Sequence, residues 1–187
     1  MPRLSTVWLA GPHRFNPAAE ALGLAQRRLC AAAGFEPLGL EARGDEAPER
    51  GELRARELYA DAMAGLRVAD ALVADCTPFR GPGPDAGAAF EAGVAAGLGK
   101  PVCAYMNVAS EAEAELCGRV ESWIGAQADP AGGWCDAEGW RIEDLGLPET
   151  ALLWAEARRF FVIVTSEPET ELAGLELCLD ALKLYAD

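Results

Sequence analysis

Asp75, Asp85 and Glu91 sit close together in the chain, separated by a Pro/Gly-rich loop. Asp75 closes a short apolar run, Asp70-Ala-Leu-Val-Ala-Asp75. The loop Cys76-Thr-Pro-Phe-Arg-Gly-Pro-Gly-Pro84 follows, and then Asp85 and Gly87 lead into a small-residue helix carrying Glu91. Carboxylates gathered around one loop at the end of a buried strand suit chemistry at an acetal-like carbon. One acid attacks, and another protonates the leaving group. Each acid also has a plainer reading. Asp85 stands where a helix N-cap belongs, and Glu91, on the residues alone, reads first as a solvated helix glutamate.

The elements around these acids alternate between strand and helix. Apolar runs over 4–10, 35–40, 69–75, 102–106 and 160–165 predict five strands. Helices are predicted over 17–33 with Asn16 as cap, 52–67, from Pro84 or Asp85 to 98, 110–126 with Ser110 as cap, 148–158 and 170–185. A charged loop is expected over 41–51. The stretch 129–144, with Gly132-Gly133, Trp134 and Trp140, reads as a small hairpin or long loop.

This alternation predicts an α/β fold, a flavodoxin-like three-layer sandwich with a five-stranded parallel sheet in the order 2-1-3-4-5. One domain is expected over 1–187. In such a sheet the ligand crevice lies beyond the carboxyl ends of strands one and three, where the strand order reverses. Gly11-Pro12-His13 and the Asp75–Asp85 loop are expected to line it.

The chain has 187 residues and a net charge of −14, from 30 acids against 16 bases. That balance argues against a polymeric nucleic acid as partner, because phosphate binding needs a basic face. It leaves small neutral substrates open. The six cysteines are scattered without a CxxC pair, so free buried thiols and a reducing, cytoplasmic setting are expected. With one histidine and no paired thiols, no metal site is expected. No run is apolar and long enough to predict a membrane span.

Three segments carry a family resemblance: Val7-Trp-Leu-Ala-Gly-Pro12, Asp70 through Arg80-Gly81, and Asp85-Ala-Gly-Ala-Ala-Phe-Glu91-Ala-Gly with the helix, turn and strand that follow. Arg141-Ile-Glu-Asp-Leu-Gly-Leu-Pro-Glu149 adds a fourth. The chain resembles the nucleoside 2-deoxyribosyltransferases and their relatives, the 2′-deoxynucleoside 5′-phosphate N-hydrolases. By that resemblance Glu91 is the nucleophile that attacks C1′ and forms a covalent deoxyribosyl ester. Asp85 hydrogen-bonds the base and helps protonate it as it leaves. Trp8 matches a family aromatic that is often tyrosine; it keeps the stacking face and lacks the phenolic hydroxyl. Gly11, Phe79, Arg80, Gly81 and Gly87 shape the substrate pocket, and Asp75 binds a sugar hydroxyl or orients the loop. Arg80 reads equally as a loop arginine paired to Asp75 or Asp85. His13 follows the first turn and reads more readily as a bystander.

Two positions depart from the family pattern. An acid or amide usual on the second helix is replaced by Ala62, with Asp61 beside it, about 100° around the helix. An asparagine that reaches into a neighbouring subunit's site is replaced by Thr150. The resemblance implies transfer of 2-deoxyribose between bases with retention at C1′. Its substrates are a deoxynucleoside and a free nucleobase, its cofactors none, and its assembly a homo-oligomer (dimer, tetramer or hexamer). N-glycoside hydrolysis is the alternative, and a catalytically dead nucleotide binder a third reading.

Overall fold

A computed structural model describes residues 4–40 and 51–184. The expected charged loop over 41–51 lies outside them except for Gly51, as does Tyr185 at the end of the expected last helix.

Five parallel strands form the central sheet: β1 Thr6–Ala10, β2 Glu36–Leu38, β3 Ala71–Asp75, β4 Val102–Val108 and, last in the chain, β7 Arg159–Val164. Their order is β2-β1-β3-β4-β7, the flavodoxin-like arrangement with β7 as the fifth strand. The intervening β5 Ala126–Ala128 and β6 Trp134–Asp136 pair antiparallel as a separate hairpin; β6 falls within the expected 129–144, while β5 precedes it and takes the end of the helix expected over 110–126. Helices covering both faces explain why the inner strands are apolar almost throughout. All seven residues of β4 are buried.

The strand period of two divides the core. Val7 and Leu9, with Val73 and Tyr105, pack beneath α1 (Ala19–Ala33) and α6 (Ala173–Lys183). Trp8 and Ala10, with Leu72 and Met106, pack beneath α2 (Glu52–Val68) and α3 (Ala86–Gly97). Buried Ala88, Ala92 and Ala95 bring α3 close to the sheet.

Three helices begin or run differently from expectation. Asn16 does not cap α1 directly: its Oδ1 accepts the Ala18 N–H at 2.8 Å, and α1 begins at Ala19. The preceding residues Pro12–Phe15 form a 3₁₀ turn. The helix expected over 110–126 is split into a 3₁₀ turn, Glu111–Ala114, and α4, Leu116–Ile124. The two turns pack so tightly that a Cβ at Gly118 would overlap the Ala112 carbonyl. Residues Ala151–Glu156 form α5, later than expected, with Thr150 at its N-cap; just ahead of it the Pro148 carbonyl and the Glu149 carboxylate accept from Arg119.

Candidate active site

At the carboxyl ends of β1 and β3 the chain gathers an aromatic donor, two acids and an arginine. Trp8, on β1, faces α2 and α3. Gly65 makes room for it: a Cβ there would overlap the indole ring. The indole Nε1–H donates to Glu91 Oε2 at 2.9 Å, supplying a donor to that carboxylate where a phenolic hydroxyl is lacking. Glu91, in the second turn of α3, is 6% exposed. Burial pushes its carboxyl above the ordinary carboxylate range, while the indole bond and the Arg14 guanidinium pull the other way.

Asp85 stands at the N-cap of α3, where its Oδ2 accepts the Ala88 N–H at 3.2 Å. The same oxygen lies 3.5 Å from Arg14 Nη2, and Arg14 Nη1 lies 3.9 Å from Glu91 Oε1. Capping and membership of the acid cluster therefore coexist in one side chain. Gly87 leaves space for this guanidinium, since a Cβ there would sit 2.8 Å from Arg14 Nη2.

Asp75 points to the other face of the sheet. Its Oδ1 accepts the Thr77 N–H at 2.9 Å. Burial raises its carboxyl's pKa, against hydrogen bonds from Thr77 and Tyr105. Gly11 permits this arrangement, because a Cβ there would lie 2.7 Å from Asp75 Cβ. Asp75 lines a crevice of about 260 Å³ together with Pro12, His13, Phe15, Thr77, Phe79, Arg80 and Trp123. Neither Asp85 nor Glu91 lines that crevice.

Phe79 stacks on Phe15, with ring centroids 5.4 Å apart and planes 15° from parallel. Arg80 lies over Phe79 at 4.7 Å, so it belongs to this stack and pairs with neither Asp75 nor Asp85. Its φ of 58° is the one positive φ among the described non-glycine residues, a left-handed backbone that side chains rarely adopt. Gly81 follows, with open space where a Cβ would point.

Two expected contributors lie apart from the acids. Asp61 is exposed on α2, and no hydrogen bond or ion pair of the described residues joins it to the cluster; Ala62 beside it packs against the core. Thr150 lies at the start of α5, beside an apolar groove of about 640 Å³ formed with Leu152, Leu153, Ala89 and Gly93.

Two arginines were not anticipated. Arg14 carried one sequence signal, a base two residues after Pro12, close to the turn that ends the first strand. Arg119 carried none, because a buried arginine on an amphipathic helix looks like a surface residue. It is fully buried and donates to the carbonyls of Pro82, Glu113 and Pro148 and to Glu149 Oε2 at 3.0 Å. It thereby ties down the loop that leads into Asp85. Among the described residues no group of three or more His, Cys, Asp or Glu side chains is placed to hold a metal. Nor is any helix there long and apolar enough to cross a membrane. All six cysteines are free, five of them buried.

A flavodoxin-like sheet with Glu91 buried and Asp75 and Asp85 half-buried at its topological switch point defines a class of α/β proteins whose ligand site lies at the strand ends. A sequence model of the nucleoside 2-deoxyribosyltransferase family matches residues 7–152, and the chain belongs to that family of glycosyl-handling enzymes. A solved 2-deoxyribosyltransferase from Leishmania mexicana is similar at 26% identity over 94% of this chain and 97% of that one, with a TM-score of 0.61. A 2-deoxyribosyltransferase from Bacillus psychrosaccharolyticus matches at 19% identity over 55% of this chain and 72% of its own, with a TM-score of 0.45. A CMP N-glycosidase from Clostridium botulinum matches at 14% identity over 97% and 99%, with a TM-score of 0.46. No curated protein sequence matches significantly.

Proposed function

We propose that the protein transfers 2-deoxyribose from a deoxynucleoside to a second nucleobase, with Glu91 as nucleophile. The observation that carries this is the way Glu91 is held. One carboxylate oxygen is fixed by the Trp8 indole, while Oε1 lies 3.9 Å from Arg14, too far for a hydrogen bond, and keeps its lone pairs for attack. In the first half-reaction the C1′–N bond breaks as a C1′–Oε1 bond forms. Asp85 hydrogen-bonds the departing base and passes it a proton. In the second half-reaction a new base attacks C1′ from the face the first one left, returns its proton to Asp85 and frees Glu91. Two inversions give net retention at C1′.

Arg14 offsets the charge of Glu91 and favours its ionised form. Asp75, Phe79 and the Phe15 stack form the adjoining wall for sugar and base. Thr150 lies off the acid cluster within its own chain, which fits a contribution to a neighbouring subunit's site in a homo-oligomer. No metal or redox cofactor enters these steps.

Intact-protein mass spectrometry with excess deoxynucleoside tests the covalent step. An added deoxyribosyl mass is expected in the native protein and none in Glu91→Gln. A Glu91→Gln variant that still turns over removes the assignment. Incubation with deoxyinosine, with and without adenine, then separates the outcomes. Deoxyadenosine marks transfer, hypoxanthine without an acceptor marks hydrolysis of the ester by water, and no change with purine or pyrimidine donors ends the enzymatic reading.

A further inference from the structure

Beneath the Pro12–Phe15 turn, two buried polar atoms face a common space without a protein partner. His13 is 7% exposed and Gln26 is 2% exposed. Neither His13 Nε2 nor Gln26 Oε1 has a hydrogen-bond partner among the described residues. Leaving such a group unpaired forfeits its hydration without compensation, a penalty incurred twice within one turn's packing. Both residues line a small pocket of about 10 Å³, with Asp75, Tyr105 and Leu175 among its other walls. That is the space one water molecule needs, and water requires polar partners to occupy it.

The proton inventory matches one water. The Gly39 backbone acts on the ring in the direction that favours protonation, as a nearby carbonyl does. A carbonyl on that side matches Nδ1–H, and Nε2 of a neutral ring in that tautomer presents a lone pair. Burial and the neighbouring Arg14 charge lower the ring's pKa to about 4, so it is neutral at physiological pH. Gln26 Oε1 is likewise an acceptor. Two acceptors on one cavity call for a molecule with two donors.

We propose that this cavity binds one water molecule, donating one hydrogen to His13 Nε2 and the other to Gln26 Oε1, and that the bridge pins the turn presenting Arg14 to Asp85 and Glu91. His13 points inward from this turn, Arg14 outward to the acids, and the His13 carbonyl closes the turn by accepting the Asn16 N–H at 3.1 Å. His13 and Gln26 are thus positioning residues, and this second half of the proposal rests on the reading of Glu91 as nucleophile.

His13 is the chain's one histidine, so ¹⁵N spectra of histidine-labelled protein report on this ring alone. At pH 7 the Nδ1–H tautomer is expected, with Nε2 at the shift of a hydrogen-bond acceptor. A high-resolution crystal structure should show a water within hydrogen-bond distance of both atoms. A protonated Nε2 or a dry cavity overturns the site. In Gln26→Leu the Nε2 resonance should move toward an unbonded lone pair. There kcat should fall by about tenfold, the equivalent of one hydrogen bond, with KM little changed. Gln26→Glu retains an acceptor oxygen and should restore both readouts. An unchanged kcat in a folded Gln26→Leu overturns the positioning role. If the native protein makes no covalent adduct, the Glu91 reading fails by itself, while the spectra and the crystal still decide the water.

Discussion

Glu91 illustrates how far a carboxylate's behaviour depends on its few neighbours. Its burial favours the neutral acid, and two donors oppose that: the Trp8 indole and, at longer range, Arg14. In the proposed role as nucleophile Glu91 must be ionised, and these donors would then determine how far into acid conditions the protein works. Trp8→Phe keeps an aromatic ring and removes the N–H. A hydrogen bond to a charged group contributes about 1.5–3 kcal/mol. Its loss raises the pKa of Glu91 and moves the acid limb of the kcat profile to higher pH. At the plateau kcat should drop by roughly ten- to a hundredfold. Arg14→Gln should shift the acid limb in the same direction, since removing a nearby cation also favours the protonated acid. A pH–rate series on both variants checks the sign; a limb moving to lower pH in either contradicts the arrangement.

At the scale of elements, two glycines make the site possible through the room they leave. Gly87 lies in the first turn of α3, where a Cβ would meet the far end of Arg14, a flexible group. Gly87→Ala should therefore leave Tm unchanged or raised, because alanine favours the helix by about 1 kcal/mol. Its activity profile should nonetheless follow that of Arg14→Gln. Gly65→Ala is the opposite case. There the Cβ would press into the Trp8 ring within a packed core, and overpacking of this kind costs about 1–3 kcal/mol. Thermal denaturation and kinetics on the pair separate the two effects.

Arg119 holds the Asp85 loop to α4 and to the start of α5. Arg119→Met leaves Glu149 buried without its counter-charge, at about 3–5 kcal/mol. Chemical denaturation should show that loss as a lower midpoint. An unchanged midpoint would mean that the pair does not brace the loop.

For the whole molecule, the site follows from topology. A parallel sheet in the order β2-β1-β3-β4-β7 sends its connections to opposite faces on either side of β1 and β3, and the crevice opens where they part. Thr150 lies at the far side of α3 from the Trp8–Glu91 contact, beside the apolar groove where Leu152 is 88% exposed. A chain assembled with copies of itself can carry Thr150 into another copy's site. Mixed oligomers of Glu91→Gln and Thr150→Val should then recover part of the activity that each variant lacks alone. Light scattering should give a mass above that of one chain. A monomer, or mixing without recovery, places Thr150 outside the site.

Much of this was legible in the chain itself. Apolar runs at strand length alternating with helical ones predict the parallel sheet and its order, because element type follows from local periodicity. The Asp85–Glu91 spacing likewise places both acids at the start of one helix. What the tertiary structure alone decided is how side chains meet across elements. It put Trp8 and Glu91, 83 positions apart, in hydrogen-bond contact. It brought Arg14 to both acids, took Arg80 into an aromatic stack and set Asp75 on the opposite face. Those outcomes depend on which face each helix covers and on the room left by a missing Cβ at Gly65 and Gly87. Such distances are set by packing between segments remote in sequence, where local propensity carries no information.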